Sequence, residues 1–204
     1  MKMRQTFIAI ISAVLISGCA STAFNAAGGA SLAPTGKFDV GSFIVNLPSD
    51  LNSIKVRTDD GDRGYLLTQD GPSLDSIYLF SDIQDGDAIL KQFRKENPVP
   101  KYSDEMFDLE LVEFLIDTIS KGTDLRVRSS NVRPGSFLGE EAILFDINGV
   151  SSRGLNMTGS ALMSATDAGL DVAFYIAPQE YYAPRIKASF DSILGSAVSD
   201  GDSS

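Results

Sequence analysis

Apolar residues recur along this chain with two different periods, and the switches between them mark its elements. From Lys37 the texture is strand-like. Phe38-Asp39-Val40 and Phe43-Ile44-Val45-Asn46-Leu47 are short apolar runs, and Pro48 ends the second. Residues 54–57 and 64–68 flank Asp59-Asp60-Gly61-Asp62, which has the chemistry of a tight hairpin. A second turn, Gln69-Asp70-Gly71-Pro72, leads into Ser76-Ile77-Tyr78-Leu79-Phe80. Gln84-Asp85-Gly86-Asp87 then opens a short amphipathic helix with Ile89, Leu90 and Phe93 on one side, stopped by Pro98 and Pro100.

The period lengthens clearly in the next segment. With Asp108 as N-cap and Phe107 and Val112 as a hydrophobic staple, residues 109–121 form a helix ended by Gly122. Glu110, Glu113, Asp117, Ser120 and Lys121 share one narrow stripe. Leu109, Leu111, Val112, Phe114, Leu115, Ile116 and Ile119 cover most of the rest, so the helix must be deeply packed.

Four alternating runs follow. Leu125 and Val127 alternate with Arg126 and Arg128, and Ile143, Phe145 and Ile147 lead to Asn148-Gly149, a strong turn signal. Leu155, Met157, Ala161 and Met163 share a face, as do Leu170, Val172, Phe174 and Ile176. Pro184 suits a helix N1 position, and Tyr182, Ile186, Phe190, Ile193 and Leu194 make a buried stripe ending at Gly195. Strands in meander order joined by short turns imply an antiparallel sheet, and three amphipathic helices must bury their stripes on its faces. The predicted class is α+β.

The segment before this domain reads differently. Lys2 and Arg4 precede an apolar run from Phe7 to Ile16, then Ser17, Gly18 and Cys19. That is a secretory leader; ten apolar residues fall short of the ~20 needed for a helical membrane span. Leu15-Ile16-Ser17-Gly18-Cys19 resembles the lipobox of bacterial lipoproteins. The resemblance implies cleavage between Gly18 and Cys19, acylation of Cys19, and, because Ala20 rather than Asp follows, an outer-membrane anchor facing the periplasm. The expected organisation is therefore a signal peptide over 1–18, a lipidated flexible tether over 19–36, one α+β domain over 37–195 and a disordered polar tail over 196–204.

The order of elements also resembles PsbP-like α/β/α sandwich domains. The tokens are Phe43-Ile44-Val45-Asn46-Leu47-Pro48, Phe137-Leu138-Gly139-Glu140-Glu141-Ala142 and Ala188-Ser189-Phe190-Asp191-Ser192-Ile193-Leu194. Tyr175-Ile176-Ala177-Pro178 before Tyr181-Tyr182 is similar to small bacterial lipoproteins of unassigned function. Together these resemblances imply an accessory or scaffolding protein more than a catalyst.

Composition narrows the chemistry. The 204 residues carry 17 basic and 27 acidic side chains, and the leader would take two of the basic ones. Such a polyanion lacks the electrostatic footprint of a nucleic-acid binder. Histidine is absent and Cys19 is the single cysteine, which excludes Ser-His-Asp, Cys-His and imidazole-metal sites within this sequence. Asp59-Asp60-Gly61-Asp62 and the acids over 82–87 do not match EF-hand spacing, so they read as turns and no metal or cofactor is expected. Glu140 with Glu141, or Glu110 with Glu113, are the carboxylate pairs a cell-wall hydrolase would need, but adjacent strand residues face opposite ways.

The basic residues with a candidate role are Arg126, Arg128 and Arg153, with Arg133 nearby. Arg126 and Arg128, two apart on a strand, project from one face and could hold an anion, although pairing with neighbouring acids is the simpler expectation. The leading expectation is a non-catalytic, lipid-anchored envelope protein that binds or scaffolds another envelope component. A carrier or sensor of a small apolar or anionic ligand is the alternative. Membrane attachment is directly testable. Cys19→Ala should release the chain from membranes and abolish fatty-acid labelling; continued membrane retention would refute the anchor.

Overall fold

The computed structural model describes residues 29–58, 61–90, 98–123 and 125–202. The leader, Gly18 and Cys19 lie outside the described residues. Among those described, no helix is long and apolar enough to cross a membrane.

Eight strands form one sheet: β1 (Ser31–Ala33), β4 (Leu51–Thr58), β5 (Gly61–Thr68), β6 (Ser76–Ile83), β7 (Leu125–Phe137), β8 (Glu140–Ser151), β9 (Asn156–Thr166) and β10 (Gly169–Pro178). Their order is β1-β4-β5-β6-β10-β9-β8-β7, and every pairing is antiparallel. Two meanders, β4-β5-β6 and β7-β8-β9-β10, thus meet where β6 pairs with β10. A small second sheet, β11-β3-β2, is made by β2 (Gly36–Asp39), β3 (Phe43–Leu47) and β11 (Val198–Ser199). Helix α1 (Asp108–Gly122) lies in the connection from β6 to the far edge at β7, and α2 (Tyr182–Gly195) follows β10.

The junction of the meanders is the most buried part of the sheet, because β6 and β10 are apolar on both faces. On the α1 face Phe174 is wholly buried and stacks on Tyr78 with ring centroids 4.5 Å apart. Burying each such side chain contributes about 1.5–3 kcal/mol. On the other face Ile77, Leu79, Ala173 and Tyr175 join Phe190 of α2 and the strands of the small sheet in a second core. The molecule is an antiparallel α+β fold, dominated by sheet, with a helix on each face. That is the expected class, with two of the three expected helices present among the described residues.

Pro184 is the third residue of α2 rather than the first, and Leu109 and Leu155 are exposed. Four further sequence expectations differ from the structure, each for a local reason. The helix expected from Asp87 is not formed over 87–90, where the chain is irregular and Ala88, Ile89 and Leu90 are buried. The backbone hydrogen bonds there go elsewhere: Gly86 N–H donates to the Tyr102 carbonyl (2.9 Å) and Tyr102 N–H to that of Asp87 (2.7 Å). Residues 91–97, including Phe93, lie outside the described residues. Asn148-Gly149 is not a turn but the middle of β8, paired with Arg128 and Val127.

The third difference concerns the expected tether and tail. Ser31–Ala33 pair with β4, and Thr35 donates two hydrogen bonds, both 2.8 Å, to Asp50. Val198–Ser199 pair with β3 as β11. Short polar segments are held here because a sheet edge offers backbone partners that their composition does not advertise. The fourth concerns α1. Its N-cap is Phe107, whose N–H donates to the Glu110 carboxylate (2.8 Å), and the Phe107 side chain is 79% exposed, so the staple with Val112 does not form. At the other end Thr123 is the C-cap, donating its hydroxyl to the Ile119 carbonyl (2.7 Å).

Besides the shared apolar core, polar ties join the small sheet to the large one: Ser81 donates its hydroxyl to the Val40 carbonyl (2.9 Å), and one acid adds to this. Asp171 on β10 accepts hydrogen bonds from the Ser42 hydroxyl (2.8 Å) and the Asp82 N–H (3.1 Å). Burial pushes its carboxyl above the usual range against these two bonds, and the charge of Asp82 adds to the rise. Folding therefore takes up a proton between the unfolded and folded pKa values, and Asp171 costs increasing stability as pH rises through that interval. Asp171→Asn keeps an oxygen for both donors and removes the charge. Its thermal midpoint should exceed that of the parent at neutral pH, and the difference should shrink as pH falls through the folded pKa and the parent carboxyl takes up its proton. A midpoint below the parent's at neutral pH would contradict this reading.

Candidate functional site

β7 begins with strict alternation. Leu125 and Val127 pack against the core beneath α1, so Arg126 and Arg128 project from the opposite face, the one that carries α2. α2 packs mainly on β10, β3, β9 and β6. Beyond it, over β8 and β7, the same face changes character. Ala173 and Tyr175 of β10 lie under the helix, whereas Ser160, Asp146, Asn148 and Ser130 succeed one another toward the edge.

These polar groups are tied together. Asp146 accepts hydrogen bonds from Asn131 (3.1 Å), Arg133 (3.4 Å) and Ser160 (3.4 Å). Asn148 donates to the Ser130 hydroxyl at 2.8 Å. The Asp146 hub holds the β-bulge between Ser130 and Arg133, where Asn131 adopts a left-handed backbone (φ 53°). Toward α2, burial pushes the Tyr175 hydroxyl upward, opposed by its hydrogen bond with Ser160.

At the edge the network stops and a groove of about 470 Å³ opens, lined by Arg126, Arg128, Asn148, Val150, Asn156 and Gln179. Arg126 stands opposite Val150 and Arg128 opposite Asn148 in the ladder. Both arginines are exposed, and neither has a hydrogen bond or ion pair among the described residues. Arg153 is exposed on the turn between β8 and β9, whose flanking residues Val150 and Asn156 line the groove. The simpler expectation, arginines neutralised by adjacent acids, therefore holds for Arg133, paired with Asp146, whereas among the described residues Arg126, Arg128 and Arg153 have no acidic partner. Two guanidinium groups on one strand face, with amide side chains beside them, can hold carboxylates by charge-assisted hydrogen bonds.

The remaining candidates are dispersed. Glu140 and Glu141 follow a two-residue turn with both central residues at positive φ, Leu138 at 55° and Gly139 at 90°, and both are exposed. Glu110 and Glu113 face solvent on α1. An acidic recess of about 420 Å³ between Asp85, Tyr102, Asp104 and Asp167 lies at the opposite end of the β9 strand. Among the described residues, no three acidic side chains converge as metal ligands.

Sequence reasoning found the arginines and missed Asn148, Val150, Asn156 and Gln179. Reading Asn148-Gly149 as a turn removed Asn148 from any face. The available signal was the series of alternate positions Ala142, Leu144, Asp146 and Asn148, which turns from apolar to polar along one side of β8.

No protein-family model and no curated protein matches this chain. Among solved structures it is similar to the solution structure of cyanobacterial PsbP (CyanoP) from Synechocystis sp. PCC 6803, with a TM-score of 0.55. The superposition covers 85% of this chain and 95% of that one at 11% sequence identity. A likeness at that identity shows the fold alone, and it is the PsbP-like fold that the order of elements suggested.

The groove depends on close packing behind it. A methyl group added at Gly149 would lie 2.7 Å from Cγ1 of Val127 and 2.9 Å from the Arg126 carbonyl oxygen. Gly149→Ala should push β7 away from β8 at the arginine pair and cost about 1–3 kcal/mol in chemical denaturation. Amide exchange over residues 125–128 should accelerate with it. Unchanged stability and exchange would show that the strands tolerate the methyl without moving.

Proposed function

We propose that this is a non-catalytic lipoprotein of the cell envelope, anchored through acyl chains on Cys19 after cleavage at Gly18, that docks an acidic surface of another envelope protein against Arg126 and Arg128. The observation that carries the reading is the arginine pair itself. Among the described residues it has no ion pair or hydrogen bond, and it lies on a polar sheet face beside a groove, in a chain whose formal charge is −10. An apolar core on one side of β7 and exposed cations on the other is the arrangement of a strand built to be touched.

The anchor supports the same reading. Fixing the domain near a membrane raises its effective concentration toward membrane-attached partners, so a modest polar contact suffices. An outer-membrane position facing the periplasm follows from the resemblance at Ala20. The net negative charge opposes direct adsorption to anionic lipid, leaving a protein as the better occupant. The same guanidinium groups could hold a small carboxylate or phosphate, which keeps the carrier as the second reading.

Chemical cross-linking in intact cells should give a discrete adduct for the parent chain. The paired substitution Arg126→Glu/Arg128→Glu should abolish the adduct without lowering the thermal midpoint, while Glu113→Ala on the solvent stripe of α1 should leave it intact. An adduct that survives charge reversal would overturn the assignment of the face. A stoichiometric small anion in native mass spectra of the purified chain would favour the carrier instead.

A further inference from the structure

The way β7 ends the sheet suggests how such a partner is held. Resting on the reading above, we propose that the outer edge of β7 over residues 125–130 accepts an extended acidic segment of the partner as a further strand of the sheet. Among the described residues β7 pairs only with β8, so its other edge carries backbone donors and acceptors without a strand partner, apart from the Leu125 N–H, which donates to the Thr123 hydroxyl (3.1 Å). The opposite edge of the sheet ends in β1, three residues long. β7 runs for 13 residues.

The two halves of this edge are not alike. From residue 131 onward it is guarded: the bulge after Ser130, the left-handed Asn131 and Pro134 all interrupt a continuous template. Residues 125–130 stay in unbroken register with β8, Leu125 opposite Ser151 through Ser130 opposite Asp146. Six residues at ~3.3 Å each offer about 20 Å of template.

Charge selects the occupant. Pairing β7 of a second copy across this edge would bring the arginines of the two chains onto one sheet face, where like charges on neighbouring strands repel. A strand with acids on alternate positions meets them favourably. Its intervening residues would fall on the α1 side, beside the partly buried Leu125 and Val127, and are best apolar. The partner segment is thus an acidic-apolar alternation of about six residues, recognised by main-chain hydrogen bonds and read by two guanidinium groups.

The test uses the full chain in detergent and a capped ten-residue peptide alternating glutamate and valine. The peptide should bind and slow amide exchange over residues 125–130. A lysine-for-glutamate peptide should not bind, and a form N-methylated at every amide should bind about ten-fold more weakly or worse. Arg126→Glu/Arg128→Glu, and the milder Arg126→Gln/Arg128→Gln, should each lose affinity while keeping the parent's thermal midpoint. Equal binding of the parent and N-methylated peptides, lost on charge reversal, would overturn strand addition and leave the arginine face standing. Binding that ignores charge reversal would overturn both. Failure of the glutamate-valine peptide to bind, or a concentration-dependent dimer that it competes away, would overturn the proposed occupant.

Discussion

The sheet is wider than what covers it, and most of the molecule follows from that. Eight strands spaced ~4.8 Å apart span more than 30 Å, whereas a helix with its side chains is only about 10 Å across. Among the described residues, one helix and a three-stranded sheet on one face, and one helix with the segment carrying Ile89, Leu90 and Tyr102 on the other, do not span the full width. On one face α2 packs chiefly on β10, with β9 and β6 beside it, and on the other α1 packs chiefly on β7 and β8. The outer strands are left with one dry face each, and their alternation records it: β7 buries Leu125 and Val127 under α1 and shows Arg126 and Arg128 to solvent.

The change from apolar to polar along the uncovered face is graded. Beneath α2 the Tyr175 ring packs on Phe190 at 5.2 Å, while its hydroxyl meets Ser160. Ser160 reaches Asp146, which restrains Asn131 and Arg133. Past that hub Asn148 donates to the Ser130 hydroxyl, and then come the exposed arginines, which have no partner among the described residues. Surface ion pairs such as Arg133–Asp146 contribute little to stability, about 0–1 kcal/mol. Their effect here is geometric, since they hold the bulge that divides the guarded half of β7 from its regular half.

Much of this was legible in the residues. The apolar runs of β3, β6 and β10, the alternation of β7 and the buried stripes of both helices follow from side-chain period alone. The class and the shared face of Arg126 and Arg128 follow with them. What escaped was set by contacts between distant segments. Asn148-Gly149 carries hairpin chemistry, yet neighbours on both sides hold it in β8. Ser31–Ala33 and Val198–Ser199 look like linker and tail, and become strands because sheet edges lie within reach. The groove joins residues from β7, β8, β9 and the start of the α2 connection, so its lining could not be assembled before the strand order was known. Counting charges suggested that arginines in an acidic chain would find partners, but distance rather than number decides pairing.

One surface carries the proposed contact, the polar face of β7 and β8 around the arginine pair. Val150 lines that groove and is 41% exposed without contributing charge. A photo-reactive amino acid placed there tests the claim most directly, with position 113 on the exposed stripe of α1 as the control. Illumination of living cells should give a discrete adduct from position 150, lost when Arg126→Glu and Arg128→Glu are added, and none from position 113. Adducts from position 113 alone, or an adduct at 150 indifferent to the arginines, would contradict it.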